Sequence, residues 1–362
     1  MRPLAYTADR PEEYARLGIA RGAVAPWEDG MRTSGGPGGY EWWYFDCHLD
    51  DGTAMVVTFN TKQSLATWTG LRPSVSVELD RPGEPARRWA IEARPDEFQA
   101  STAHCDVRIG RCTFAGDLED YTIHVENDEI AIDVTLHGDV PAWRPETGHF
   151  YFGEHRPKLF AWLPAVPQGT VHARIRVDGT TRELTGVGYH DHNWGDASMM
   201  RLMSRWYWGR AQAGPYSVIA SWLFGAKRYR HAEVPIFLLA KDGRVVADDA
   251  RRVRLRLEDV FADEPSGLPV ANRVIYEYAG DSETYRVTFQ REQTLLRTLP
   301  TDIDSWAIRA FVRLARIRGG YLRFAGPVTV ERIVDGAVVE SESDPGIWES
   351  PFFADPPGIA RS

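Results

Sequence analysis

The sequence predicts an all-β fold of two consecutive antiparallel units, with one amphipathic helix near the C-terminus. Three observations predict it. Short runs of alternating apolar and polar residues follow one another along most of the chain, and turns rich in glycine and aspartate separate them. The chain is also 12% aromatic, with 13 Trp, 14 Tyr and 15 Phe, a surplus that suits a thick β-core or an apolar pocket.

Residues 1–35 carry Pro3, Pro11 and Pro26 around a short helical stretch, Pro11–Gly18, and are expected to form an arm that wraps a barrel. Ser34–Gly39 is glycine-rich, but it lacks the Gly-Lys-Ser/Thr ending of a phosphate loop and precedes a strand, so it reads as a lead-in. A first β-unit is expected over 36–195. Glu41–Leu49 and Thr53–Phe59 flank the turn Asp50-Asp51-Gly52 as a hairpin, and Ser74–Leu79, Cys105–Ile109, Tyr121–Val125, Ile130–Leu136 and Val171–Val177 continue the alternation. A second unit, 196–350, restarts with Arg205–Arg210, Tyr216–Trp222, Pro235–Leu239, Arg251–Leu257, Arg273–Tyr278 and Thr284–Phe289; residues 351–362 form a tail.

Three landmarks recur. Trp43-Tyr44 returns at Trp206-Tyr207, Asp178-Gly179 at Asp335-Gly336 and Trp194 at Trp348, each about 160 residues on, which suggests a diverged tandem duplication of a unit of roughly lipocalin size. The helix is expected at Thr301–Arg318, where Thr301 and Asp304 give a start signal, Gly319-Gly320 an end, and Ile303, Trp306, Ala310, Phe311, Leu314 and Ile317 an apolar stripe. Arg309, Arg313 and Arg316 line another face, either solvated or in transient contact with an anionic membrane surface.

Lys plus Arg is 42 and Asp plus Glu is 51, a net charge of −9 that argues against nucleic acid as a partner. Cys47, Cys105 and Cys112 are odd in number and lack CxxC spacing, as expected of core thiols in a reducing compartment. The N-terminus has no signal-peptide pattern and no run reaches the roughly 18 apolar residues of a membrane span, so a cytoplasmic protein is expected.

Titratable, hydrogen-bonding and aromatic side chains are densest in Gly186–Gly195. Read as a strand, this stretch turns Tyr189, Asp191 and Asn193 to one face and His190, His192 and Trp194 to the other, with same-face neighbours about 6 to 7 Å apart. Enclosed among aromatic rings, the Asp191 carboxyl would hold its proton near neutrality and could deliver it to an electron-rich alkene, leaving a carbocation that ring faces stabilise. Tyr189 would bond the carboxyl or steer a trapping water. In the plainer alternative, both side chains satisfy buried backbone groups.

His190 and His192 form a His-x-His pair, but no Glu or Cys at ligand spacing accompanies it, so no metal is expected. No Gly-x-Ser-x-Gly elbow is present. Trp42, Trp43, Trp143, Trp162, Trp206 and Trp208 are candidates for a pocket wall and equally for β-core.

Glu41-Trp-Trp-Tyr-Phe-Asp46 opening one unit, Gly188-Tyr-His-Asp-His-Asn-Trp-Gly195 closing it, Phe160-Ala-Trp-Leu-Pro164 between them and Trp206-Tyr-Trp-Gly209 beyond resemble the carotenoid 1,2-hydratase/AttH-like family over about residues 36–350. The resemblance implies two lipocalin-like antiparallel β-barrels with a hydrophobic cavity and an enzyme that needs no cofactor. Members include hydratases of acyclic carotenoids and fungal relatives that look like pericyclases. It also implies Asp191 as proton donor, with Tyr189 and Trp162 as helpers.

The expected function is protonation of a C=C bond in a hydrophobic polyene or terpenoid, directing hydration or cyclisation. Asp191 and Tyr189 would be catalytic, and Trp43, Trp162, Trp206, Trp208, His190, His192, Asn193 and Trp194 would contact substrate. A pericyclase that holds a reactive conformer and a carrier that performs no chemistry are the alternatives.

Overall fold

A computed structural model describes residues 4–264, 267–299 and 319–353. Alternation becomes burial strand by strand: in Ile130–Gly138, the side chains of Ile130, Ile132, Val134 and Leu136 are buried while Asp133, Thr135 and His137 are exposed. The architecture is all-β, two curled half-barrel sheets in the lipocalin-like manner. Two compact units result, Thr7–Met199 and Met200–Ser362, the latter grouped with Met1–Tyr6.

In the first unit the antiparallel order across the sheet is Arg87–Glu92, Ser74–Asp80, Ala54–Asn60, Tyr40–Leu49, Thr180–Gly195, Lys158–Val177, Ile130–Gly138, Asp120–Glu126, Cys112–Gly116, Cys105–Ile109 and Phe98–Ala100. The strand carrying Asp191 is therefore central, between Tyr40–Leu49 and Lys158–Val177. The second unit follows the same plan: Arg244–Ala247, Glu233–Lys241, Tyr216–Gly225, Met203–Ala213, Ala337–Phe352, Gly320–Val334, Thr284–Gln290, Leu268–Ala279 and Val253–Asp263. In both units the first strand lies beside the last.

The recurring landmarks fall on matching elements. Asp178-Gly179 and Asp335-Gly336 are two-residue turns joining the last two strands of each unit, with φ of 50° and 78° in each pair. Positive φ at both central positions is the hairpin geometry that matches strand twist, which is why Asp-Gly stands at both. The match is of element, not of register: Trp43 faces its core, whereas in the second unit Tyr207 does so and Trp206 does not.

Several strands escaped the sequence pattern. Lys158–Val177 was expected only from Val171, because Pro164, Pro167 and Gly169 interrupt the earlier half. Register shifts between Pro164 and Val166 and between Val166 and Gly169 accommodate them as bulges. Gly320–Val334 and Ala337–Phe352 were masked likewise by Pro327 and Pro345, which prove to be cross-strand partners.

Pro11–Leu17 is helical and ends on Gly18 at φ 70°, as expected. The helix expected at Thr301–Arg318 lies outside the described residues, as do residues 354–362 of the tail. Cys47, Cys105 and Cys112 are buried and form no disulfide among the described residues. Among the described residues, no helix is long and apolar enough to cross a membrane.

Candidate active site

Glycines let the central strand approach its neighbours. A Cβ on Gly186 would meet the His48 carbonyl oxygen at 2.2 Å and the Leu49 Cα at 2.7 Å. One on Gly195 would meet the Tyr40 hydroxyl at 2.6 Å and the Leu159 carbonyl oxygen at 2.7 Å. Between these close contacts the chain carries Tyr189 to Trp194, all at most 8% exposed.

The Asp191 carboxyl is 7% exposed and is gripped by three donors. The Tyr189 hydroxyl and the Trp162 Nε1 each donate to Oδ2 at 2.7 Å, and the Asn193 Nδ2 donates to Oδ1 at 2.5 Å. Register explains the convergence: Trp162 is the cross-strand partner of Asn193 and Pro164 that of Asp191, so the indole stands on the carboxyl's own face. Tyr44, the partner of Asp191 on the other side, sets its ring edge-on to Tyr189 at 6.2 Å. This face is turned away from the core of its unit, which takes its residues from the alternate positions, Trp43, Phe45, Leu163 and Trp194.

Burial pushes the Asp191 carboxyl up to about 6, and it prevails over the Tyr189, Trp162 and Asn193 hydrogen bonds and the nearby His190 charge, all of which favour the ionised form. Burial and the adjoining carboxyl push the Tyr189 phenol well above its ordinary value, so it remains a donor.

The opposite face holds a second polar cluster, fully inside the core. His190 Nε2 lies 3.1 Å from Asp29 Oδ2, which also accepts from the Tyr121 hydroxyl at 2.6 Å, while His190 Nδ1 donates to the Tyr44 carbonyl at 2.8 Å. His192 Nε2 lies 2.8 Å from Glu41 Oε1, and its ring stacks on Trp43 at 4.7 Å. Burial opposes charge on Asp29 and on His190, yet each is stabilised by the other: the carboxyl is held below its usual range and the imidazole above.

Asp29, Cys105 and His190 offer ligand atoms within 4.8 Å of one another. The sequence reading found no acidic or thiol companion for the histidines; the fold supplies both from distant segments. The donor set suits a metal by type, but burial and the Asp29 charge raise the Cys105 thiol well above its ordinary value, so ligation would need a proton removed from a dry core.

The expected site residues thus divide into three groups. Asp191, Tyr189, Asn193 and Trp162 are joined by hydrogen bonds. His190, His192, Trp43 and Trp194 lie behind them in the core, where Trp43 Nε1 donates to the Asp29 carbonyl at 3.0 Å. Trp206 and Trp208 belong to the second unit, half-buried on the face opposite Tyr207, with Trp206 against Phe353 at 5.0 Å. Trp162 and Trp194 also line a cavity of about 190 Å³ with Ile19, Trp27 and His149. Burial lowers His149 to about 4, so its imidazole is neutral there.

Asp29 and Tyr121 were missed because nothing local marks them: Asp29 ends the short turn Pro26–Asp29 in what reads as an arm. Glu41 stood in a quoted motif, but its role depends on Arg32 and Thr33, whose backbone N–H groups donate to it at 2.6 and 2.8 Å.

Known proteins resemble this chain at both levels. A quinolone epoxide rearrangement protein, penF of Penicillium thymicola, is 28% identical over 234 residues, 58% of this chain and 61% of that protein. The acyclic carotenoid 1,2-hydratase of Rubrivivax gelatinosus is 25% identical over 189 residues, 48% of this chain and 45% of that protein. The matches thus span about half to three-fifths of these relatives. Among solved structures, CghA superposes with a TM-score of 0.61 at 17% identity over 94% of this chain and 96% of its own. A Nitrosomonas europaea protein described as AttH superposes at 0.59 and 16% identity, over 92% and 97%. The sequence matches the Diels-Alderase-like family over residues 33–294, well over half its length, and the chain belongs to that family.

Proposed function

We propose that this protein is a cofactor-independent enzyme of natural-product metabolism that acts on a hydrophobic polyene or terpenoid, with Asp191 as the acid. The observation that carries this reading is a buried carboxyl raised to about 6, beside aromatic side chains and, among the described residues, with no cationic hydrogen-bond partner. A group of that kind can give a proton near neutral pH. The Asp191 proton adds to one carbon of a C=C bond, the π pair forms the new C–H bond, and the other carbon becomes cationic. Water then attacks and returns a proton to the carboxylate, or an internal double bond attacks and closes a ring, and the cation that this leaves loses a proton from the adjacent carbon to the carboxylate. Tyr189, Trp162 and Asn193 hold the carboxylate that results, so little has to move after proton transfer.

Relatives named for hydration, epoxide rearrangement and Diels–Alder chemistry support an unsaturated or strained substrate without fixing which. Replacing Asp191 by Asn is expected to abolish turnover while substrate binding changes by no more than a few fold; full activity in that variant eliminates the acid. Family membership favours one second reading, a pericyclase in which the same side chains only hold a conformer. Reaction in heavy-oxygen water separates the two, since hydration labels the product and a pericyclic closure does not. Deuterium uptake from D₂O without the oxygen label identifies a proton-started cyclisation. A carrier yields no product in either solvent.

A further inference from the structure

The interior of the second unit contains a charge with no counter-charge among the described residues. Arg205, on Met203–Ala213, faces the same way as the core residue Tyr207 and is 2% exposed. Its Nε donates to Ser350 Oγ at 3.3 Å, the one hydrogen bond of the side chain among the described residues, and no carboxylate there pairs with it. Nη2 is buried without an acceptor among those residues. The guanidinium lies 4.0 Å from the ring centroid of Tyr207 and 4.2 Å from that of Phe352. Among the described residues, the Tyr207 hydroxyl is also buried and unpartnered, and so is Nε1 of Trp348, on the strand that bears Ser350 and Phe352.

Arginine keeps its charge even when buried, and ring faces offset only part of the cost of drying it. Buried polar groups almost always have partners, and these three can all donate. What they lack is an acceptor. The free end of a guanidinium fits the two oxygens of a carboxylate side by side. Tyr207 and Phe352 lie against it, in a core that also contains Phe224, Tyr276 and Phe289, an environment for a hydrocarbon body and a poor one for a hydrated inorganic ion.

We propose that the second unit binds a lipophilic carboxylic acid, its carboxylate on Arg205 and the Tyr207 hydroxyl, its apolar body among the aromatic side chains of that core. This site shares no residue with Asp191 and makes no demand on its chemistry.

The test is calorimetric titration of the full chain at pH 7.5 with decanoate, decan-1-ol and acetate. Decanoate is expected to bind at least tenfold more tightly than decan-1-ol, with acetate too weak to measure. Arg205→Met should bring the decanoate-to-decanol ratio to about one, and without ligand it should melt no lower than the wild type, because an unpaired buried charge has been removed. A purely structural arginine predicts a lower melting point instead. Should Arg205→Met not fold, Tyr207→Phe decides: a several-fold loss for decanoate alone supports the site, and an unchanged affinity overturns it. Equal binding of acid and alcohol by the wild type, binding of neither, or a preference that survives in Arg205→Met also overturns it. Acetate binding as tightly as decanoate would mean a small-anion site and would end the lipophilic assignment. Asp191→Asn should keep the full preference, which separates failure here from failure of the catalytic reading.

Discussion

At the scale of single residues, Asp191 sets the pH dependence. Its folded-state value of about 6 lies above the ordinary 3.8, so the folded protein holds this proton more tightly than the unfolded chain does. The stability it contributes is present below pH 4 and is lost as pH rises from about 4 to 6. Above that range the wild type carries a buried carboxylate, which Asp191→Asn does not. Urea denaturation should show the stability of Asp191→Asn, relative to wild type, rising by about 3 kcal/mol between pH 4 and pH 7. A gap that stays flat across that range would mean the carboxyl is not desolvated. The same residue is thus expected to be needed for turnover and unfavourable for stability at neutral pH.

At the scale of elements, the central strand works because its two faces do different things. One presents the carboxyl and its three donors; the other inserts His190 and His192 into a core where Asp29 and Glu41 receive them. Glycines set how closely the neighbouring strands can lie. Gly186→Ala would drive a Cβ into backbone atoms of His48 and Leu49, so it should cost about 3 kcal/mol in urea denaturation. Gly179→Ala meets nothing within 4 Å and should cost about 1 to 2 kcal/mol, from its positive φ alone. Equal losses in the two variants would contradict the packing account.

The motif was legible as a strand because period two is a local property. Tyr189, Asp191 and Asn193 had to share a face, and they do. The partners of the other face were not legible, since Asp29 and Glu41 reach the histidines across more than a hundred residues, and on the carboxyl's face the bulges at Pro164 and Val166 hid half of the strand that brings Trp162.

At the scale of the whole molecule, two units share one strand order, but their buried polar groups differ. The first unit buries an acid held by three donors, and the second buries a base whose Nη2 has no acceptor among the described residues. All three cysteines lie buried in the first unit, none of them in a disulfide among the described residues. A thiol reagent such as DTNB should therefore label none of them in the native protein and all three after denaturation, and reductant should leave the melting temperature unchanged. Labelling of the native protein would show that the core opens.

The sequence by itself determined the β class, the turns that divide the strands, the sharing of a face by Tyr189, Asp191 and Asn193, and the family, because alternation, turn chemistry and motif identity reside in neighbouring residues. Only the tertiary structure decided what each face meets. That Trp162 grips the acid, that Asp29 and Glu41 back the histidines, and that Arg205 has no counter-charge among the described residues all follow from strand register and burial, which are set by contacts between residues far apart in the chain.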